Sequence, residues 1–395
     1  MDEITVLKKP GLEVFLEVDE DEIKFKSEGI LSSISQPILK KLNVLLEDEK
    51  PISFTRDELI ISTWLPPVPS EPFSRALRNE IKARLLNKHS PQAVSLNISE
   101  CTLECDECNI LEGKRLETDL VKNFIEGVQD LGAFSIGFAE GEPLLRDDIF
   151  DLIEHVDKQK SVVSVFTPGT KLDREVASEL KKRDVYSIVT GIKSPIPEEH
   201  DEARGVEGAF EMAISGMEAA LENDLLVSMH THAKPRLVRS GKLEKIYELA
   251  KEVGVDELSI WESHPTWNYI YDTEIMPTEQ DRRRIANLYE KANNSEDGPR
   301  IFYNQKFESK NLFGCMAGNR WLNLIHSGDV TPCTYVPISF GNIKRSSIED
   351  IWKRMSNHDD FAPKKSCVML DTDFREKYFK DIEPSNLPVK MYEDE

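Results

Sequence analysis

Residues 93–108 read AVSLNISECTLECDEC, an apolar segment that runs directly into three closely spaced cysteines. We predict a buried strand over residues 93–98, followed by a loop that carries Cys101, Cys105 and Cys108 in the spacing C-x3-C-x2-C. Three thiolates can hold three irons of a four-iron cluster and leave the fourth iron free for another ligand. A closed structural zinc site uses four protein ligands instead. The spacing therefore favours an iron–sulfur cluster with one open position.

The three cysteines also allow simpler interpretations. A histidine or a distant cysteine could complete a zinc site, because the choice of metal follows ligand softness as well as spacing. The thiols could also be purely structural. We do not expect disulfides, because no apolar signal peptide precedes the cysteines and the chain is predicted to be cytoplasmic, where thiols stay reduced.

Strand-like and helix-like segments alternate after the cysteines. The further strands are predicted at residues 134–138, 162–166, 185–189, 225–229 and 258–261, with helical periodicity between them. This alternation predicts a mostly parallel sheet. Functional loops of such sheets gather at the carboxyl ends of the strands, which is where the cysteine loop lies.

The strand after the cysteine loop ends in Gly141-Glu142-Pro143. A glycine there allows a ligand to approach the backbone closely, and the carboxylate of Glu142 could accept hydrogen bonds from an ammonium group. The same composition is also common in ordinary turns. By itself this tripeptide is weak evidence of a binding site.

Together, the cysteine loop and Gly141-Glu142-Pro143 resemble the radical S-adenosylmethionine (SAM) enzymes over residues 91–355. The resemblance implies an α/β fold built as a partial (β/α)6 barrel of parallel strands. It also implies that Cys101, Cys105 and Cys108 ligate a 4Fe-4S cluster whose open iron binds SAM, with Gly141, Glu142 and Pro143 at the methionine end. Reductive cleavage of SAM would give a 5'-deoxyadenosyl radical that abstracts hydrogen from a substrate.

Other residues follow the order of family motifs, and the resemblance implies that they also bind the cofactor. Thr167 lies in the segment VFTPGT, Thr190 follows the fourth strand, and Arg204 lies in HDEARG. Arg204 would suit a carboxylate, although a surface pairing with Asp201 or Glu207 is an equal alternative. The chain also departs from the family pattern. Glu107 replaces an aromatic residue, Glu140 replaces the first glycine of G-G-E-P, and Pro168 replaces an asparagine. The fourth strand ends in IVTGI (188–192), where the family often has S-I-D.

His230 and His232 fall on one face of the fifth strand. They could bind a metal or handle a proton, but buried polar side chains more often simply find partners within the protein.

The remaining cysteines, Cys315, Cys333 and Cys367, form a second group. Cys315 precedes a predicted β-hairpin with strands at residues 321–325 and 330–335, and Cys333 lies in the second of these strands. The order resembles the SPASM or twitch region, which implies one auxiliary 4Fe-4S cluster held by three cysteines. His358, Asp371, Asp373 or the substrate could supply the fourth ligand. Alternatively, the thiols pack as small apolar side chains.

Five regions are predicted along the chain. They are a small α+β domain (1–65), a linker and helix (66–90), the partial barrel (91–300), the auxiliary-cluster region with its hairpin (301–385) and an acidic tail (386–395). The N-terminal domain could bind a substrate or partner, or could cap the open side of the barrel. No motif distinguishes these roles.

Composition limits the partners. The net charge of −22 argues against a nucleic acid, and no apolar run is long enough for a membrane span. The expected function is hydrogen abstraction from a peptide or protein side chain, with an external one-electron reductant such as ferredoxin or flavodoxin. The alternatives are a small-molecule or tetrapyrrole (cofactor-biosynthetic) substrate, or a non-catalytic zinc- or iron-binding scaffold.

Overall fold

The computed structural model of the chain describes residues 2–19, 22–55, 57–105, 115–309, 311–362 and 366–392. Cys108 and Glu107 lie outside the described residues. The N-terminal region contains β1 (Asp2–Lys9), β2 (Leu12–Asp19), β3 (Glu22–Glu28), α1 (Ser32–Asp48), β4 (Ser53–Phe54), β5 (Leu59–Ile60) and α2 (Glu71–Leu86).

An antiparallel sheet in the order β1-β2-β3 forms the N-terminal region, and α1 packs on it. Alternate side chains of β2, such as Val14 and Leu16, are fully buried in this layer. Leu312, from far along the chain, is buried in the same apolar cluster. The N-terminal region therefore shares its core with the chain that precedes Cys315.

The central region alternates strands and helices as predicted. Its elements are β6 (Ala93–Asn97), α3 (Thr118–Leu131), β7 (Ser135–Ala139), α4 (Ile149–His155), β8 (Val162–Thr167), α5 (Arg174–Lys182), β9 (Ser187–Gly191), α6 (Pro197–Arg204), α7 (Ala209–Glu222), β10 (Leu226–Ala233), α8 (Pro235–Arg239), α9 (Lys242–Val253), β11 (Glu257–Glu262), α10 (Glu279–Asn293), β12 (Arg300–Tyr303) and α11 (Asn304–Phe307).

The C-terminal region completes the molecule. Its elements are β13 (Trp321–Ile325), β14 (Val330–Thr331), β15 (Ile338–Ser339), α12 (Ile348–Ser356), α13 (Thr372–Phe379) and β16 (Val389–Lys390).

One nine-stranded sheet, in the order β12-β11-β10-β9-β8-β7-β6-β13-β14, forms the core of the fold. Strands β6 to β12 are all parallel, which confirms the predicted α/β partial barrel. The structure adds β12 at one edge. At the other edge, β13 pairs in parallel with β6 before turning into antiparallel β14. The predicted hairpin is present, although its second strand ends at Thr331 instead of residue 335, and it continues the barrel sheet into the C-terminal region. No helix in the described parts of the chain is long and apolar enough to cross a membrane.

Candidate active site

A cavity of about 450 Å³ runs along the inside of the barrel sheet and reaches the carboxyl ends of the parallel strands. Cys101, Cys105 and Gly141 line it on one side, and Cys333 of the C-terminal region lines it on another. Trp64 of the N-terminal region also reaches it. All three regions of the chain therefore contribute to one cavity.

Backbone contacts from neighbouring loops hold the cysteine loop in place. The amide of Glu142 donates to the carbonyl of Glu100 at 2.8 Å, and the amide of Glu104 donates to the carbonyl of Arg204 at 3.0 Å. Cys101 and Cys105 are free thiols that are partly buried, and burial raises the pKa of Cys101. Two of the three predicted cluster ligands thus face the cavity from a fixed loop.

Gly141 brings the β7 loop against the cysteine loop. Its φ of +73° is in the left-handed region, and a Cβ there would lie 2.4 Å from the carbonyl oxygen of Ser99. The contacting atoms belong to backbone, so they cannot move aside independently. A side chain at residue 141 would displace the segment that leads into Cys101.

We expect Gly141→Ala to lower the free energy of unfolding by about 2 kcal/mol and to reduce the iron content of anaerobically reconstituted protein. Gly254→Ala is the matched control, since Gly254 has φ +81° but no neighbour within 4 Å. It should retain its iron. Equal iron in the two variants would show that Gly141 does not position the cysteine loop.

The carboxylate of Glu142 is fully buried and already engaged. It accepts hydrogen bonds from Thr167 Oγ1 at 2.7 Å, from Thr170 Oγ1 at 3.2 Å and from the amide of Leu144 at 3.0 Å. The last bond caps a short 3-10 helix that begins at Pro143. Glu142 and Thr167 therefore tie β7 to β8, and their polar groups are used within the protein.

Glu140 is the carboxylate of this loop that faces the cavity. Its φ of +50° is left-handed, which is uncommon for a residue with a side chain. Burial raises the pKa of Glu140 to about 7, against an opposing effect of Asn97. The replacement of a family glycine by Glu140 is visible in the sequence, but its conformation is not.

Arg204 lies beside the cysteine loop. Its Nη2 donates to the carbonyl of Gly191 at 2.6 Å, and its Nη1 is 3.7 Å from Cys105 Sγ. Asp201, offered as an alternative partner, instead accepts from the amides of Gly208 and Phe210. Arg204 thus places positive charge where thiolate ligands would carry negative charge.

Thr190 is fully buried, and its Oγ1 has no hydrogen-bond partner among the described residues. Its neighbours in sequence, Val189 and Gly191, are part of the cavity lining. The structure therefore places Thr190 next to the cavity wall.

The imidazoles of His230 and His232 line the cavity with their ring centres 4.8 Å apart. Burial lowers the pKa of His230 to about 3 and that of His232 well below its usual value, so both rings are neutral near pH 7. Within the described ranges, no three His, Cys, Asp or Glu side chains are arranged to hold a single metal ion.

The second cysteine group is brought together in the C-terminal region. Cys315, Cys333 and Cys367 are buried and form no disulfide, with 4%, 6% and 7% of their surface exposed. A hydrogen bond with Cys315, together with burial, raises the pKa of Cys367, and burial and Cys315 raise that of Cys333. Adjacent buried thiols suit an iron–sulfur cluster, whose ligands surround a polynuclear centre and need not converge on one ion.

The structure also buries a carboxylate, that of Glu308, that was not among the predicted fourth ligands. Asp371 and Asp373 are exposed, and the Asp371 side chain caps α13. His358 accepts a hydrogen bond from the amide of Asp360. Glu308 was not predicted, yet it is only 8% exposed, and burial and Cys315 hold its pKa well above its usual range. No sequence motif marks Glu308, because it lies outside the cysteine pattern.

Two family profiles match the chain. The radical SAM superfamily matches residues 98–233, and the SPASM iron–sulfur cluster-binding domain matches residues 315–380. The chain is 26% identical over 291 residues to an AdoMet-dependent heme synthase of Methanosarcina barkeri, covering 67% of this chain and 83% of that protein. A heme synthase of Nitratidesulfovibrio vulgaris is 25% identical and is covered over 78% of its length, with 66% of this chain aligned.

Solved structures share the fold. SuiB of Streptococcus suis, bound to its precursor peptide SuiA, has a TM-score of 0.60 at 14% identity and covers 91% of this chain and 89% of its own. The structure of native anSMEcpe with bound AdoMet has a TM-score of 0.56 at 16% identity, and the match covers 68% of this chain and 82% of that chain. Both profile matches fall where the cavity has its cysteines, so the chain belongs to the radical SAM superfamily and carries a C-terminal SPASM iron–sulfur region.

Proposed function

We propose that this enzyme abstracts hydrogen from a flat, conjugated small molecule of the tetrapyrrole class. The observation that carries the proposal is the aromatic lining of the cavity between Cys101 and Cys333. Trp261 lies at its centre, with ring centroids 6.0 Å from Phe302, 5.9 Å from Trp321 and 6.1 Å from Tyr335. Tilted aromatic rings of this kind offer faces on which a planar unsaturated ligand can stack. The heme synthases similar in sequence support the same class.

Cofactor binding is assigned within the same proposal. Cys101, Cys105 and Cys108 would hold the SAM-binding cluster, and Cys315, Cys333 and Cys367 an auxiliary one, with soft thiolates suited to iron–sulfur centres. When bound and reduced by one electron from outside, the cluster and SAM supply a 5'-deoxyadenosyl radical. A ferredoxin or flavodoxin in the cytoplasm would provide that electron.

The residues of the β7 loop take different roles in this proposal. Gly141, Pro143 and Glu142 with its partner Thr167 would shape the SAM pocket by fixing the backbone beside Cys101. Thr190, on β9, and Arg204, the last residue of α6, would border the same pocket. Because the carboxylate of Glu142 is engaged, Glu140 is the anion available to the ammonium group of SAM.

A peptide or protein side chain is the second candidate substrate. Strands β1 and β3 form the edges of the N-terminal sheet, and edge strands can bind an extended peptide through main-chain hydrogen bonds. Binding of a peptide, without binding of a tetrapyrrole, would favour this second candidate.

The test is anaerobic reconstitution with iron and sulfide, followed by reduction in the presence of SAM. We expect about eight irons per chain if two four-iron clusters form, together with formation of 5'-deoxyadenosine. Cys105→Ala should abolish that product. Cys333→Ala should still cleave SAM but give no modified substrate. Zinc that cannot be displaced, with no 5'-deoxyadenosine, would leave the metal-binding scaffold as the function.

A further inference from the structure

The segment 61–65 enters the barrel from the N-terminal region, outside both profile matches. Ile61, Ser62, Thr63 and Leu65 are each at most 9% exposed. Trp64, in their midst, is only partly buried because its indole faces the cavity. A large aromatic side chain that stays partly open within a buried segment points to a ligand.

Three alternating residues on one face of β11 contact this segment, since residues two apart on a strand face the same side. Glu257 accepts hydrogen bonds from Ser62 Oγ at 2.6 Å and from Thr63 Oγ1 at 2.5 Å. Ser259 Oγ accepts a hydrogen bond from Trp64 Nε1 at 2.8 Å. The ring of Trp261 lies 5.1 Å from that of Trp64.

Further contacts hold the segment in place inside the barrel. The hydroxyl of Tyr186, the residue before β9, donates a hydrogen bond to the carbonyl of Leu65 at 2.8 Å. The indole of Trp64 lies 5.2 Å from the ring of Phe302 on β12 and 5.6 Å from that of Phe166 on β8. The indole is therefore in contact with three strands, β8, β11 and β12, which leaves it little freedom to leave the cavity.

We propose that Trp64 is the platform on which a flat conjugated substrate stacks, so that the N-terminal region supplies a specificity residue to the barrel. This inference rests on the proposed substrate class. It also gives the N-terminal region a definite role, because the segment that closes the barrel is the one that carries the platform.

The test uses protoporphyrin IX, a planar conjugated probe, with the full-length reconstituted protein, and the readout is the change in the absorbance of the probe itself on binding. Trp64→Leu should weaken binding by about fivefold or more, which corresponds to the about 1–3 kcal/mol contributed by stacking on an aromatic ring. Trp64→Phe keeps a ring and should bind within about threefold of the unmodified protein.

Trp352→Leu is the matched control, because Trp352 is 5% exposed and its Nε1 donates to a backbone carbonyl, that of His89, away from the cavity. It should lose stability but keep its affinity for the probe. Melting temperatures of all variants separate misfolding from loss of the platform.

The two proposals fail in different ways. If the unmodified protein binds the probe and Trp64→Leu binds it equally well, the platform is wrong and the substrate class survives. If the folded, unmodified protein does not bind the probe at all, both the substrate class and the platform are wrong.

Discussion

Arg300→Met is expected to lower the free energy of unfolding by about 3–5 kcal/mol, because it leaves two buried carboxylates without their cation. Arg300 is 2% exposed. Its Nη1 donates to Glu257 at 2.8 Å, and its Nη2 forms an ion pair with Glu49. Tyr289 also donates to Glu49. This arginine therefore joins the N-terminal region to β11 and β12.

The measurement is urea unfolding followed by circular dichroism. Arg174→Met is the control, since Arg174 makes two contacts with a single carboxylate, that of Glu222, at an exposed site, and its loss should cost less than about 1 kcal/mol. Similar losses in the two variants would contradict a buried ionic centre.

The pH dependence has a defined sign. Burial raises the pKa of Glu257, and without Arg300 this carboxyl should hold its proton still more strongly. A carboxyl whose pKa is higher in the folded state loses stabilisation as the pH rises above its unfolded value of about 4.3. The Arg300→Met variant should therefore be less destabilised near pH 5 than near pH 8.

The sequence predicts the barrel because parallel strands leave strong local signals. Segments such as Val162–Thr167 are short, apolar and β-branched, and helical periodicity separates them. The strand Arg300–Tyr303 leaves no such signal, since an arginine at the start of a strand is ordinarily read as exposed. Only its partners Glu257 and Glu49, distant in sequence, allow Arg300 to be buried.

The site is predicted in part for the same reason. The cysteine spacing and Gly141 are local motifs, so their place beside one cavity follows from strand order. The hydrogen bonds that engage the carboxylate of Glu142 come from Thr167, at the end of the next strand, and from Thr170, in the loop after it. The position of Trp64 in the cavity cannot be predicted from the local sequence, because nothing in residues 61–65 indicates that they enter a barrel formed mostly by later residues.

Glu140→Gln is expected to weaken SAM binding by about tenfold or more, since a charge-assisted hydrogen bond contributes about 1.5–3 kcal/mol. Because the pKa of Glu140 is raised to about 7, the carboxylate is mostly ionised only above that pH. Affinity of the unmodified protein for SAM should therefore fall as the pH drops below 7, and Glu140→Gln should remove that dependence. Calorimetric titration of the reconstituted protein measures both effects.

Glu140→Gly separates binding from backbone strain. It should bind SAM as weakly as Glu140→Gln, yet gain up to about 1–2 kcal/mol of stability, since glycine adopts a φ of +50° without steric cost. Asp184→Gly relieves a similar φ of +53° at an exposed turn and should leave SAM binding unchanged. S-adenosylhomocysteine keeps the ammonium group but lacks the sulfonium charge. Equal losses of affinity for it and for SAM would place Glu140 at the ammonium, whereas a loss confined to SAM would place it at the sulfonium and contradict the assignment.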